Sequence, residues 1–136
     1  MIVRHRHKPA AHFAVGLVGL LNSRWTKAET SLRRCLELNP GFETARTMLG
    51  YVIHKLGRDD EARQELARAQ EKVPGSALIP YFLACIEAAN GKRDEAFALL
   101  EKAASGGLYT VEIAPSQEEF RTLKDDPRFS ASLRGK

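Results

Sequence analysis

The sequence repeats itself with a period of 34 residues, and that period constrains the fold more strongly than composition does. The segment GRDDEA begins at Gly57, and the similar segment GKRDEA begins at Gly91. A fixed period of about 20 to 50 residues is typical of arrays that stack one supersecondary unit. The same offset aligns five sets of three residues of matching size and polarity: Val15, Leu49 and Leu83; Gly16, Gly50 and Ala84; Ala28, Ala62 and Ala96; Leu32, Leu66 and Leu100; Cys35, Ala69 and Ala103.

Each repeat is predicted to form two helices. In the second repeat, apolar residues recur at three- and four-residue spacing from Ala45 to Leu56, which is the pattern of one helical face. Gly57 is predicted to end that helix. The apolar stripe of the next helix is formed by Ala62, Leu66 and Ala69.

Several helix starts carry residues that favour side-chain capping, in which a short polar side chain accepts a hydrogen bond from the first turn. The candidates are Thr26 with Glu29, Asp59, Ser116 with Glu119, and Asp126 followed by Pro127.

This pattern resembles the signature of the tetratricopeptide repeat family: a large residue, then Leu-Gly, later Ala, later a large apolar residue, and finally Pro. In the second repeat the matching residues include Leu49, Gly50, Ala62 and Pro74. The resemblance covers residues 9–108 as three repeats. It implies an all-α fold, a tetratricopeptide-repeat α-solenoid of three helix-turn-helix hairpins with short C-terminal capping helices.

The predicted organisation is a basic tail at residues 1–8, repeats at 9–42, 43–76 and 77–108, and a connector with a helical cap at 109–136. Within the connector, Leu108–Ile113 contains β-branched residues. A segment packed on the last hairpin is favoured there over a strand without a partner.

The cap must bury four large apolar side chains, because an array needs an end piece with one apolar and one polar face. These are Phe120, Leu123, Phe129 and Leu133. The short connector favours burial on the end of the third repeat, against Phe97, Leu100 and Ala104. The alternative is burial in the groove of the repeats, against Tyr51 and Tyr81.

Charge and cysteine content argue against a nucleic-acid-binding surface and against a site built from clustered cysteines. The chain has 21 Lys and Arg against 17 Asp and Glu, and three of the cations, Arg4, Arg6 and Lys8, lie in the first eight residues. The remaining net charge of +1 predicts no basic face for nucleic acid. Cys35 and Cys85 lie 50 residues apart and belong to no Cys or His cluster, so reduced, buried thiols are predicted.

No catalytic or metal site is predicted, and no cofactor is expected. Acidic residues at 59–61 recur at 94–95 in the same repeat phase, which favours helix-start electrostatics over acid-base chemistry. The histidines near the N-terminus are His5, His7 and His12, and the first two lie among cations that repel a metal ion. The chain is therefore predicted not to be an enzyme.

The family resemblance implies a peptide-binding groove lined by the first helix of each hairpin. The expected guest is an amphipathic helix or extended segment with apolar anchors. An acidic chaperone tail is not expected, because apolar residues stand where the clamp of such members carries Lys, Arg and Asn. The alternative is that these residues are core or are covered by the C-terminal helices. The groove residues are Phe13, Leu17, Leu20, Thr47, Met48, Tyr51, His54, Lys55, Leu78, Tyr81, Phe82 and Cys85.

The segment from Phe13 to Leu21 is apolar around nearly its whole circumference, and such a helix is normally buried by something. Self-association through Leu17, Val18 and Leu21 is predicted. A partner chain, an upstream repeat and a membrane remain as alternatives.

The predicted function is therefore a non-catalytic protein-protein interaction module in the cytoplasm. Residues 1–24 also imitate an export signal or a membrane anchor, although their apolar run is too short to span a bilayer. The alternatives are an exported or membrane-anchored repeat protein, or a regulatory subunit of an enzyme.

Overall fold

The computed structural model describes residues 8–135, and every regular element among them is helical. This confirms the predicted all-α class and its consecutive helix hairpins. The described residues divide into two compact units, and the division lies between Val73 and Pro74.

The first unit contains two helix hairpins. Helices α1 (Pro9–Leu21) and α2 (Trp25–Leu38) form one hairpin, and α3 (Glu43–Lys55) and α4 (Asp59–Lys72) form the next. Helix α2 also packs against α3, so the two hairpins share one core. The fully buried apolar residues of this core are Ala28, Leu32, Cys35, Ala45, Val52, Ile53, Ala62, Leu66 and Ala69.

Glycine allows the two helices to approach closely in both hairpins of the first unit. A Cβ atom placed on Gly16 would lie 2.8 Å from the Leu32 side chain, and one placed on Gly50 would lie 2.7 Å from the Leu66 side chain. Both distances are shorter than real carbon contacts. The two hairpins therefore use the same contact, 34 residues apart, which explains why the period conserves residue size.

The second unit contains one hairpin followed by the C-terminal segment. Helices α5 (Leu78–Ala89) and α6 (Arg93–Ser105) form the hairpin. A short helix α7 (Thr110–Ile113), two 3₁₀ turns (Ala114–Ser116 and Glu118–Leu123) and helix α8 (Pro127–Arg134) follow. Leu108–Ile113 is thus no strand, as predicted. Helix α8 packs on α6, and the second 3₁₀ turn packs on α5.

The tight turns inside the hairpins determine where the second helix of each hairpin begins. At each turn a backbone N–H donates to the carbonyl five residues earlier, at 2.7, 3.1 and 2.9 Å in chain order. The helix starts directly after this donor, so Arg or Lys occupies the capping position, and its side chain cannot accept a hydrogen bond from the first turn. The three donors, again 34 residues apart, are Arg24, Arg58 and Lys92.

The prediction of side-chain caps at Thr26 and Asp59 is therefore wrong. Thr26 lies inside α2, and Asp59 is the first residue of α4. The predicted box at Ser116 is also wrong, because its hydroxyl donates to the carbonyl of Ile113 at 3.2 Å. The cap at Asp126 is confirmed, since its Oδ1 accepts a hydrogen bond from the N–H of Arg128 at 2.9 Å.

Candidate interaction surfaces

The groove residues predicted in the first unit lie on α1 and α3, which contact each other. Three of them are buried: Thr47, Tyr51 and His54. The others are half-buried: Phe13, Leu17, Leu20, Met48 and Lys55. Four of these eight residues, Phe13, Leu17, Leu20 and Met48, are therefore apolar side chains that remain partly exposed to solvent.

Two aromatic residues that sequence reasoning missed belong to the same surface. Phe13 stacks on Phe42, with ring centroids 5.0 Å apart and an angle of 27° between the planes. Trp25 meets Tyr51 edge-on at 6.0 Å. The family pattern places groove residues on the first helix of each repeat. Trp25 and Phe42 lie outside those helices, so the pattern does not predict them. The one signal for Trp25 was that it is the single tryptophan of the sequence.

A cation lies over this aromatic pair. The Lys55 Nζ is 5.7 Å from the centroid of the Trp25 ring and 5.7 Å from that of the Tyr51 ring. An ammonium group over two ring faces is attracted by both quadrupoles. Lys55 therefore stabilises the arrangement of the two rings at this end of the surface.

His54, which precedes Lys55, contacts Asp59, the residue that was predicted to cap α4. Its Nδ1 lies 2.7 Å from Oδ1 of Asp59. Because His54 is almost completely buried, this pair joins the end of α3 to the start of α4. The Asp59 carboxylate thus serves a contact between two helices of one hairpin.

The groove residues predicted in the second unit all lie on α5. Leu78 is half-buried, and Tyr81, Phe82 and Cys85 are buried. The C-terminal segment covers Tyr81: the Phe120 ring meets it edge-on at 5.7 Å, and the Tyr81 hydroxyl donates to Oε1 of Gln117 at 3.0 Å.

The C-terminal segment also packs on α6 in the predicted manner. The Arg128 guanidinium lies 4.6 Å from the centroid of the Phe97 ring. The Thr110 hydroxyl donates to the carbonyl of Leu133 at 2.7 Å, which ties α7 to α8. The segment therefore contacts both helices of the hairpin, so burial at the end of the repeat and burial at Tyr81, which were alternatives from the sequence, occur together.

A network of ion pairs joins α2 to the α3–α4 turn and α4 in the first unit. Arg33 donates to Glu61 at 2.8 Å, and Arg58 bonds to both Glu29 and Glu61. Hydrogen bonds from Arg58 and then Arg33 hold the pKa of Glu61 below its ordinary value, and the same two donors lower the pKa of Glu29. Each carboxylate faces guanidinium groups, which suits structural charge pairing better than proton transfer.

The residues predicted to self-associate differ in exposure. Leu17 is half-buried, whereas Val18 is 58% exposed and Leu21 is 72% exposed. Val15, on the same helix, is 53% exposed. We call this surface the α1 patch: a cleft of about 490 Å³ lined by Ala14, Val15, Val18, Gly19, Asn22, Arg24 and Lys27, with Leu21 beside it in sequence.

A second apolar surface lies on the C-terminal segment, and sequence reasoning missed it. Tyr109 is 75% exposed, and Val111 and Ile113 are also exposed. We call these three residues, with the adjoining cleft of about 340 Å³, the tail patch. The cleft is lined by Val111, Pro115, Phe129, Ser130, Leu133 and Arg134.

Residues 8–135 contain no group of three or more side chains placed to hold a metal ion. No helix among them is long and apolar enough to cross a membrane. His5, His7 and most of the basic tail lie outside the described residues. Both cysteines are buried, and burial raises the pKa of the Cys35 thiol.

Comparison with known families finds one match in this region. Residues 20–84 match the family model described as tetratricopeptide repeat. The matched stretch runs from the end of α1 into α5 and includes the complete hairpin of α3 and α4. No curated protein matches the sequence.

Proposed function

This chain belongs to the tetratricopeptide repeat family, and we propose that it is a non-catalytic module that binds a peptide segment of a partner protein. The observation that carries the proposal is the half-buried apolar surface of α1 and α3, with its flanking aromatic rings. Tetratricopeptide repeats are typically interaction modules, and such a surface suits a guest with apolar anchors.

The bound segment is an amphipathic helix or an extended strand that inserts apolar side chains beside Phe13, Leu17, Leu20 and Met48. Large apolar and aromatic side chains supply most of the binding energy at protein interfaces.

An acidic chaperone tail does not fit this surface. Family members that grip such tails place cations and amides on the first helices, whereas this chain has Phe13, Leu17, Met48, Leu78 and Phe82 there. The absence of catalysis is supported by the pairing of the carboxylates: Glu29 and Glu61 face guanidinium groups, and Asp59 faces His54.

The proposal is tested by selecting peptides from a displayed library on the purified chain and titrating them by fluorescence polarisation. Leu17→Ala and Met48→Ala should each weaken binding by about 5-fold or more, which corresponds to about 1 kcal/mol. Gln64→Ala, on the exposed side of α4, is the matched control and should leave affinity unchanged. Selected peptides without apolar anchors, or equal affinities for all three variants, would contradict the proposal.

Self-association through α1 is a second candidate function, favoured by the exposure of Val18 and Leu21. Large apolar side chains in water are stabilised when a second surface covers them. Sedimentation of the parent across the micromolar range should then reveal species larger than a monomer, and Leu17→Glu with Val18→Glu should remove them. A parent that stays monomeric throughout would exclude this second function.

A further inference from the structure

The solvent-exposed side of α1 is apolar along the whole helix. Its exposed residues are Ala10, Ala14, Val15, Val18 and Leu21. Val15 and Val18 are more than half exposed and line the same cleft of about 490 Å³. Single exposed hydrophobic residues are normal on a protein surface, but several that line one cleft mark an interaction surface.

The cations around the α1 patch have no partner within the chain as described. Arg24 and Lys27 are exposed and line the cleft, and the exposed Lys8 directly precedes α1. None of the three forms an ion pair with another of the residues 8–135. Helix α1 itself contains no acidic residue. The patch therefore combines an apolar face with positive charge at both ends of the helix.

The sequence carries the same charge asymmetry. Residues 1–28 contain no Asp or Glu and five cations: Arg4, Arg6, Lys8, Arg24 and Lys27. All 17 Asp and Glu residues follow, together with Lys and Arg residues in nearly equal number. The net charge of +4 therefore originates in the segment that contains the exposed face of α1.

An anionic lipid surface meets both requirements of this patch. Its acyl chains cover apolar side chains, and its phosphates attract the adjoining Lys and Arg side chains. A helix of 13 residues extends about 20 Å, which is less than the roughly 30 Å of a bilayer's hydrocarbon core. Helix α1 would therefore lie along the lipid surface without crossing it.

A protein partner suits this face less well, because the face offers few polar groups to fix the register of a partner. Protein interfaces typically contain about one hydrogen bond per 100 to 200 Å². The exposed residues of α1 are Ala, Val and Leu, which have no hydrogen-bonding side chain. Asn22 lines the cleft, but its amide donates to the carbonyl of Val18 at 2.9 Å. A lipid surface needs no such register.

We propose that the α1 patch binds an anionic membrane surface, with Val15 and Val18 among the acyl chains and Arg24 and Lys27 beside the lipid phosphates. This contact goes beyond peptide binding, because none of these four residues belongs to the groove set on α1 and α3. It also assigns the exposed face of α1 to lipid, whereas the second candidate function assigns that face to another copy of the chain. A chain that uses both surfaces would hold a bound peptide segment at a membrane.

Flotation of the purified full chain with lipid vesicles tests this contact. Vesicles of phosphatidylcholine with about one-third phosphatidylglycerol should bind the protein, and vesicles of phosphatidylcholine alone should not. One cation near an anionic surface strengthens binding about 5-fold, so Arg24→Gln with Lys27→Gln should weaken it about 20-fold. Val15→Ser with Val18→Ser should weaken binding about 10-fold. High salt should release the parent.

Matched controls separate the patch from general charge and general hydrophobicity. Lys102→Gln with Lys124→Gln removes two exposed cations from the second unit. Val111→Ser with Ile113→Ser removes two exposed apolar side chains from α7. Both double variants should bind vesicles like the parent. Peptide affinity and melting temperature should stay unchanged in the two α1-patch variants, because the substituted side chains are exposed.

Trp25 provides a readout that requires no substitution. It is the single tryptophan of the chain and directly follows Arg24. A nitroxide carried on the lipid headgroup should therefore quench the Trp25 fluorescence of the vesicle-bound parent. Bound protein with unquenched Trp25 would show that another face touches the lipid, and it would overturn the inference even if an α1 variant failed to fold.

The remaining outcomes also overturn the inference, each in a recognisable way. A parent that does not float with anionic vesicles excludes lipid as the occupant, while peptide binding by α1 and α3 is untouched. Equal weakening in the patch variants and the controls reduces the effect to general electrostatic attraction. An acidic amphipathic peptide that binds the parent but not Val15→Ser with Val18→Ser, in the absence of vesicle binding, identifies a protein as the occupant. Lipid-free oligomers that the same double variant abolishes identify a second copy.

Discussion

Gly50 lies so close to Leu66 that a Cβ atom on residue 50 would be 2.7 Å from the leucine side chain. Gly16 stands in the same relation to Leu32 in the preceding hairpin, at 2.8 Å. Since each glycine lies on the first helix and each leucine on the second, this contact sets the distance between the two helices. The 34-residue period therefore preserves a packing geometry and not only a hydrophobic pattern.

Gly50→Ala tests the importance of that distance. Overpacking costs about 1 to 3 kcal/mol, and the higher helix propensity of alanine returns about 1 kcal/mol, so we expect a net loss of up to about 2 kcal/mol. Gly75→Ala is the matched control, because no atom lies within 4 Å of the position its Cβ would take. Urea unfolding measures both changes. Equal stability of the two variants would contradict the close contact.

The hairpins could be predicted from sequence because their packing is repeated. Ala28 and Ala62 occupy equivalent buried positions, so each repeat confirms the assignment of the other. The helix starts were harder to predict, because Thr26 and Asp59 are residue types that commonly cap helices. The N–H of Arg24 or Arg58 closes the end of the preceding helix, and the next helix begins at the following residue. This tight turn leaves no room for a cap at Thr26 or Asp59.

The candidate surfaces could be predicted only in part. The residues on α1 and α3 follow from the repeat phase, but Trp25 and Phe42 reach the same surface from outside those helices. The tail patch was missed because Tyr109, Val111 and Ile113 alternate with polar residues. Their exposure depends on how α7 packs on α8, which is a tertiary property that a one-sequence pattern does not contain.

Ala62 tests the core of the second hairpin. This residue is fully buried, so Ala62→Leu should overpack the site and cost about 1 to 3 kcal/mol. Ala62→Glu should cost more, because its carboxylate has no partner there. Gln64→Glu, two residues away on the exposed side of α4, should change stability by less than about 0.5 kcal/mol. Thermal unfolding that gave one melting temperature for all of them would contradict the repeat assignment.

The ion-pair network predicts a specific dependence of stability on pH. Arg58 and Arg33 hold the pKa values of Glu29 and Glu61 below the ordinary value of 4.5. A carboxyl group with a lowered folded-state pKa stabilises the fold above its unfolded-state pKa and loses that contribution as pH falls through the folded-state value. The network should therefore weaken as the solution is acidified below about pH 4.5.

Arg58→Gln should reduce the difference in unfolding free energy between about pH 7 and about pH 3. Because Arg58 and Glu61 are both about two-fifths exposed, we expect a reduction of no more than about 1 kcal/mol. Arg34→Gln, which removes the exposed pair with Glu37, is the control and should have a smaller effect. High salt should shrink the difference between the variants. An identical pH profile for Arg58→Gln and the parent would contradict the role of the network.

A substitution at Phe120 tests whether the C-terminal segment acts as a cap on the hairpin or as a competitor for ligand binding. Its ring is fully buried and meets the rings of Tyr81 and Phe129 at 5.7 and 6.2 Å. Phe120→Ala should therefore cost about 3 to 5 kcal/mol, a large part of the total stability of about 5 to 15 kcal/mol of an ordinary domain. Tyr109→Ala is the matched control, because an exposed side chain should contribute less than about 0.5 kcal/mol.

The two roles differ in what happens to binding when Phe120 is removed. A cap predicts a lower melting temperature for Phe120→Ala and no gain in affinity for the peptides selected on the parent. A competitor predicts that uncovering Tyr81 increases affinity while the fold persists. We expect the first result, because Arg128 over Phe97 holds the same segment against α6, and the bond from Thr110 to Leu133 ties α7 and α8 of the segment together. Tighter peptide binding by Phe120→Ala at an unchanged melting temperature would identify the segment as an internal competitor.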